Sequence, residues 1–430
     1  MKKFKDGVIN YLHYKKSPIG FFSKQVQEKG DDFVFPILGF DYYFISSPLG
    51  VRQALIDNYK SFVKGRTYAK SKEILGEALA VLDGEKWQKQ NHSLKSLFSQ
   101  QYYSSISEFI RKEIEKEIHS WESESGKEIN LEARLFRTIF NLNLDLVMGG
   151  EGRIDRPFSM EELNVLFEFI IYKSRSIVPF HNYLPTRKGR DFKLTLQKFN
   201  RFVQDEIRLA RPSKDYPSYL NFLSKNKQLS SNELFNMVKQ IILVGQETTS
   251  TAIMWTMILL ARNPSYWKKL RREAHEMSSA DFSLINLEEL LAVQVIFESM
   301  RLYPPVWAFT RRAEKNVSLA GLEVKKNANV VLGCYFTHRN PGIWERPNDF
   351  IPERFKEKKK SYGINFFPFG AGPRGCIGKK TSLLISIHFI YSFVKKFEFA
   401  YPENFKENII FDARHTLVPV NGKKIILKSI

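Results

Sequence analysis

The sequence predicts a mainly α chain with small β-sheets, folded as one large helix-rich domain over residues 1–430. Helical periodicity of apolar residues runs through 105–119, 131–148, 160–173 and 190–210. Two capping pairs, Ser230 with Glu233 and Asn286 with Glu289, open long apolar segments. Short alternating runs flank turn residues at both ends: 33–38 and 42–46 around Gly39-Phe40-Asp41, and 416–420 and 423–427 around Asn421-Gly422, each read as a hairpin. Residues 33–70 and 405–430 are therefore expected to be mostly β and 71–400 mostly helical. No repeat, low-complexity tract or long linker separates modules, although 430 residues exceed the usual size of one core.

At the N-terminus, Phe4, Val8, Tyr11 and Leu12 recur at helical spacing among Lys2, Lys3, Lys5, Lys15 and Lys16. Such a basic amphipathic segment, residues 1–16, either lies on a membrane surface or packs on its own domain. Phe167, Phe169, Ile170, Ile171, Ile177 and Phe180 form an apolar stretch that lines a cavity or fills a helix core, and Pro185, Pro212 and Pro217 punctuate this part. The helix from Ser230 should stop at Asn263-Pro264, and the one from Asn286 at Pro304-Pro305. Beyond that stop, Trp307, Ala308, Phe309 and Thr310 are candidates to line a cavity.

Bulk composition narrows the classes. The formal charge of +20 is spread along the chain and favours acidic partners, yet no zinc-finger, RNA-binding or basic-helix pattern accompanies it, which argues against nucleic acid. Docking of an acidic protein uses that field, and plain solubility explains it equally. Two cysteines, Cys334 and Cys376, make no disulfide framework and the eight histidines show no zinc spacing, so a reducing, cytoplasmic setting is expected. No run approaches about 18 uncharged apolar residues and no signal peptide is evident, so no transmembrane segment is expected.

Chemistry concentrates in three places. Phe369-Gly370-Ala371-Gly372-Pro373-Arg374-Gly375-Cys376-Ile377-Gly378 frames a cysteine with spaced glycines and an arginine two residues before it. Glycines let the backbone approach a flat macrocycle and aim N–H groups at a thiolate, and Arg374 can reach a haem propionate; a Gly-rich loop with an inert thiol is the competing reading. Val244-Gly245-Gln246-Glu247-Thr248-Thr249 places an acid and two hydroxyls beside a glycine inside a long apolar helix, which local propensity disfavours. Gly245 leaves room for a small ligand, and Thr248 and Glu247 suit proton relay, unless the patch merely faces solvent. Glu298 and Arg301, three residues apart, share one helix face and can pair.

These segments, with Pro352-Glu353-Arg354-Phe355 between the last pair and the cysteine, resemble the cytochrome P450 family, with a motif set like that of its fatty-acid hydroxylases. The resemblance runs from about residue 33 to the C-terminus and implies the cytochrome P450 fold and a haem b (iron protoporphyrin IX). It implies Cys376 as the axial ligand to haem iron within a loop over 366–380, Phe369 beside the sulfur, Gly370, Arg374 and Gly378 around it, and Glu298, Arg301 and Arg354 as a buried ion triad. Glu247 and Thr248 match the acid–alcohol pair that delivers protons to dioxygen, with Val244 and Gly245 beside it. Thr337-His338-Arg339-Asn340-Pro341 is similar to the family segment before the Pro-Glu-Arg-Phe element, with a tight turn at Asn340-Pro341. Gly84-x-x-Trp87 is similar to the haem-propionate helix, but Asn91 stands where an arginine is usual, leaving Lys89, His92 or Lys95 to substitute; Arg311, or else Arg312, matches the other propionate arginine. Val244 replaces a usual alanine and narrows the site.

The activity implied is monooxygenation: one atom of O2 enters a hydrophobic small molecule such as a fatty acid, terpenoid or retinoid-like compound. Electrons come from a separate ferredoxin, flavodoxin or reductase, since the Gly-x-Gly-x-x-Gly run at 370–375 belongs to the cysteine loop itself and no residues are left over for a flavin or nicotinamide domain. The alternatives are a peroxide-driven peroxygenase or hydroperoxide isomerase, which need no proton pair, and a non-catalytic haem sensor.

Overall fold

The computed structural model describes residues 2–95, 100–149, 158–175, 186–209, 218–225, 229–277, 287–356, 363–401 and 409–430. In chain order these form α1 (Lys2–Lys16), α2 (Pro18–Lys29), β1 (Asp32–Ile37), β2 (Phe40–Ile45), α3 (Pro48–Arg52), β3 (Phe62–Lys64), α4 (Arg66–Leu75) and α5 (Gly84–Lys95). There follow α6 (Gln100–Ser120), β4 (Glu128–Asn130), α7 (Leu131–Met148), α8 (Met160–Arg175), α9 (Arg187–Leu209), α10 (Tyr219–Ser224), α11 (Ser231–Arg262), α12 (Pro264–Glu276) and α13 (Leu291–Leu302). The remainder is β5 (Phe309–Ala313), β6 (Val317–Leu319), β7 (Leu322–Val324), β8 (Asn329–Leu332), α14 (Cys334–Thr337), α15 (Lys379–Lys396), β9 (Phe397–Ala400), β10 (Phe411–Ala413), β11 (Leu417–Pro419) and β12 (Lys424–Ser429). The expected helical stretch 71–400 thus also holds the short strands β4 to β9. Among the described residues, no helix is long and apolar enough to cross a membrane.

Two compact units form: Met1–Ala69 with Phe297–Cys376 and Phe411–Val418, and Lys70–Ile296 with Ile377–Ile410 and Pro419–Ile430. The first is built on a five-stranded sheet in the order β1-β2-β8-β5-β3, in which only β2 and β8 run parallel. Alternation along its strands feeds two cores. Tyr43, Ile45, Val330 and Leu332 enter one with Leu55, Phe62 and Phe367, whereas Phe33, Phe35, Phe44 and Val331 enter the other with Phe22 and Trp307. The β1–β2 turn places Leu38 and Gly39 at φ 51° and 85°, a left-handed pair whose twist suits a tight hairpin. Helix α1 lies on this hairpin through Gly7, where a Cβ would come within 2.7 Å of Leu38 N, and through Asn10 Nδ2, which donates to Pro36 O at 3.0 Å. Its outer side keeps Phe4, Ile9 and Leu12 exposed.

The second unit is helical around α11. The Ser230–Glu233 capping box opens this helix as expected, and it ends at Asn263. Most of its length is buried against α7 and α15. Helix α7 is capped by Asn130, whose side chain accepts from Ala133 N, and ends at Gly149 in a left-handed conformation. The expected Asn286 cap lies outside the described residues. Helix α13 begins at Leu291, where the two carboxylate oxygens of Glu273 on α12 accept from Leu291 N (2.7 Å) and Ala292 N (3.1 Å). The C-terminal hairpin is corrected. Gly422 does turn the chain at φ 77°, but β12 pairs antiparallel with β4 and β9, so both of its edges are taken.

Candidate active site

Helix α13 carries Glu298 and Arg301 into full burial, both at 0% exposure. Their fork is bidentate: Arg301 Nε donates to Glu298 Oε2 at 2.7 Å and Nη2 to Oε1 at 2.8 Å. The other guanidinium hydrogens go to the carbonyls of His338 (2.8 Å), Pro347 (2.7 Å) and Asp349 (3.0 Å), so all five donors of Arg301 are used. Arg354 Nε reaches Glu298 Oε1 at 3.3 Å, and Ile351 N donates to the same oxygen at 2.9 Å. Trp344 covers the cluster, with the Arg301 guanidinium 5.2 Å above its ring. One carboxylate thereby organises the chain from 338 to 354.

That clamp borders the cysteine loop. Phe366 and Phe367 are buried and anchor its start, Phe369 and Gly370 are half-buried, and Cys376 is exposed. Hydrogen bonds fix the curve: Gly370 N to Phe367 O (2.9 Å), Gly375 N to Gly372 O (3.0 Å) and Cys376 N to Phe369 O (2.8 Å). Gly370 and Gly372 have φ of 72° and 67°. At Gly372 the protein itself demands glycine, because a Cβ there would sit 2.2 Å from Leu55 O. Arg374 is half-buried on the short turn Gly372–Arg374, and Gly378 is the N-cap residue of α15. The other cysteine contrasts fully. Cys334 is buried, and desolvation pushes its thiol pKa well up, which keeps it protonated and inert.

On α11, Thr248 and Glu247 are half-buried and Thr248 Oγ1 donates to Val244 O at 3.1 Å. Val244 is 37% exposed between the buried Leu243 and Gln246, an apolar opening in the middle of an otherwise covered helix. Gly245 lies close to α7: a Cβ there would meet Asn143 Nδ2 at 3.3 Å, a tight contact that the Asn143 side chain would have to shift by a few tenths of an ångström to relieve. Trp87 is buried on α5, and Asn91 is half-buried on the same helix. Of the proposed substitutes for the missing arginine, Lys89 is committed to Glu233 at 3.2 Å, while His92 and Lys95 are exposed.

A haem brings two propionates and needs a thiolate, and the first unit offers matching chemistry. Strand phase turns Arg311 inward, 6% exposed, and leaves Arg312 outward. Among the described residues no carboxylate pairs with Arg311, whose Nη1 donates to the neighbouring Thr310 carbonyl at 2.9 Å. The adjacent Thr310 Oγ1 is buried without a hydrogen-bond partner. A buried cation lacking a counter-ion is costly, so an anionic group fits here. An exposed thiol on an anchored loop in the same unit supplies the other requirement.

In the apolar stretch on α8, Phe169 and Ile170 are buried, with Phe169 stacked on Phe192 of α9 at 4.1 Å, and Phe167 and Ile171 are half-buried, whereas Ile177 and Phe180, like Pro185, Pro212 and Pro217, lie outside the described residues. Sequence reasoning missed His338 as a working residue. It explained that segment by the Asn340-Pro341 turn, yet the imidazole is fully buried and accepts from Phe367 N at 2.9 Å. A histidine just after a strand and before the Pro-Glu-Arg-Phe element was the available signal.

The sequence profile of the family described as Cytochrome P450 matches residues 7–427. Similar proteins include a cytokinin hydroxylase of Arabidopsis thaliana, 27% identical over 84% of this chain and 73% of its own length. An echinocystic acid 23-monooxygenase of Saponaria officinalis is 27% identical over 83% of this chain and 74% of its own length. Mouse (Mus musculus) cytochrome P450 4A12B is 26% identical over 72% of this chain and 66% of its own length. With the match spanning nearly every residue, this mainly helical chain belongs to the cytochrome P450 family, the haem b oxidoreductases that incorporate oxygen from O2 with electrons from a redox partner.

Proposed function

We propose that Cys376 is the axial ligand of the haem iron in a monooxygenase acting on a hydrophobic small molecule. In this reading Phe369, Gly370, Arg374 and Gly378 surround the sulfur, Arg311 and Trp87 hold propionates, and Glu298, Arg301 and Arg354 lock the loop's support. The contrast between the two thiols carries the assignment: one is buried and held protonated, the other is presented outward by a backbone fixed at Phe367, Phe369 and Gly372. When bound through a thiolate, the haem supplies the activation of dioxygen toward an unreactive C–H bond.

The chain's own part is to bind, orient and move protons. Thr248 donates a hydrogen bond to Val244 O, which leaves its oxygen lone pairs to accept a hydrogen bond from water. Glu247, the neighbouring acid, can hand a proton to water in that hydrogen-bonded chain and recover one from bulk water. Val244 narrows the space beside them and Gly245 brings α7 close behind. Electrons come from a separate ferredoxin, flavodoxin or reductase, whose acidic face suits the +20 charge of this chain. The exposed Phe4, Ile9 and Leu12 beside Lys5, Lys15 and Lys16 support peripheral contact with an anionic membrane surface, and a content of two cysteines suits a reducing, cytoplasmic compartment.

The assignment is tested by substituting each thiol separately in the haem-loaded protein. Cys376→Ser should abolish the long-wavelength Soret band that thiolate ligation gives the ferrous carbon monoxide complex, whereas Cys334→Ser should retain it. A band that survives in Cys376→Ser overturns the assignment.

A further inference from the structure

The residue that ties the cysteine loop to α13 is a histidine with no place in the chemistry described so far. His338 is completely buried, and its ring is flanked by Phe366 and Phe367 at centroid distances of 5.0 and 5.2 Å. Its own backbone is held at both ends: the carbonyl accepts from Arg301 Nη1 at 2.8 Å and the amide donates to Cys334 O at 3.0 Å. The ring lies against Cys334 Sγ, 3.7 Å from Nδ1 and 3.5 Å from Nε2, and makes two further directional bonds. Nε2 accepts from Phe367 N at 2.9 Å and therefore carries no proton, which places the ring hydrogen on Nδ1, where the Met300 carbonyl of α13 accepts it. From Phe367 the path continues through backbone alone, because Phe367 O accepts from Gly370 N and Phe369 O accepts from Cys376 N.

We propose that His338 is a positioning residue for the haem ligand: it fixes Phe367, and through Phe367 and Phe369 the backbone of Cys376, in register with the Glu298–Arg301 helix. This rests on the reading of Cys376 as the axial ligand. The two ring nitrogens have separate duties, a donor that holds the imidazole to α13 and an acceptor that holds the loop. A structural imidazole would need only to fill its pocket. A positioning one must keep the acceptor that faces Phe367.

Three substitutions divide those duties. His338→Gln places an acceptor near the Nε2 position and gives up the donor; His338→Asn keeps a donor near Nδ1 and gives up the acceptor; His338→Phe fills the volume with neither. All three are expected to lower the melting temperature. His338→Gln should keep most of the long-wavelength Soret band and the wild-type rate of haem loss to an acceptor protein, while His338→Asn and His338→Phe should lose most of the band and release haem about tenfold faster. Equal behaviour of the Gln and Asn variants at matched loss of stability overturns the proposal. Absence of the band in the wild-type protein would instead refute the ligand assignment itself. Should the variants fail to fold, nitrogen NMR of the intact protein decides: an unprotonated Nε2 on His338 supports the proposal and a protonated one ends it.

Discussion

Replacing Glu298 by alanine removes the carboxylate from two guanidinium groups, one fully buried and the other 12% exposed, and leaves Ile351 N without its acceptor. Breaking a buried pair from one side costs about 3–5 kcal/mol, so Glu298→Ala should shift the urea midpoint by that free energy, and a loss under about 1 kcal/mol would place the cluster in effective contact with water. The pairing of Glu298 with Arg301 was legible in the sequence because it is a matter of helix spacing. The other partners of Arg301 were not, since they are carbonyls 37, 46 and 48 residues further on that only tertiary folding delivers. Arg311 shows the intermediate case. Motif resemblance left it in competition with Arg312, and strand phase, known only once β5 is paired with β3 and β8, turns Arg311 inward and Arg312 outward.

Among the elements, α7, α8, α9 and α11 begin and end close to where their periodicity and caps put them, because those signals are local. Helix α13 likewise ends at Leu302, just before Pro304, while at its start Leu291 and Ala292 are capped by Glu273 of another helix, a side chain that also accepts from Tyr391 Oη at 2.7 Å. The Asn421-Gly422 signal foretold the turn but not the pairing, which depends on which strands reach β12 first. Helix α1 packs on β1 through Gly7 and Asn10, the commoner of the two fates expected for it, and exposes Phe4, Ile9 and Leu12. Holoprotein should therefore co-sediment with vesicles rich in phosphatidylserine, less so as salt rises, and Phe4→Glu with Leu12→Glu should weaken that binding about tenfold. Binding that the double substitution leaves unchanged would assign the lipid contact elsewhere.

For the whole molecule, acid response is shared between the two units. Burial, then the nearby Arg301, pushes His338 down to about 3; burial, then Arg111, does the same to His388, whose Nε2 lies 3.1 Å from Ser107 Oγ. Each imidazole titrates at an ordinary 6.5 when unfolded, so between 6.5 and about 3 the unfolded chain binds more protons and stability falls as pH drops. Going from about pH 7 to about pH 5 should cost about 2 kcal/mol per imidazole, read by urea unfolding across that range. His388→Asn should remove one such contribution; an unaltered pH profile would mean that the ring is already charged in the fold.

The parallel pairing of β2 with β8 joins Tyr42–Ile45 to residues from Asn329 to Leu332. During synthesis the N-terminal hairpin therefore leaves the ribosome long before its neighbour exists, and one backbone edge waits open while the whole of Lys70–Ile296 is made. A nascent chain halted in that interval displays a bare strand bordered by the aromatic side chains of Phe33, Phe35 and Phe44. Shielding of that unfinished sheet until its late strands arrive is therefore expected to raise the yield of folded enzyme.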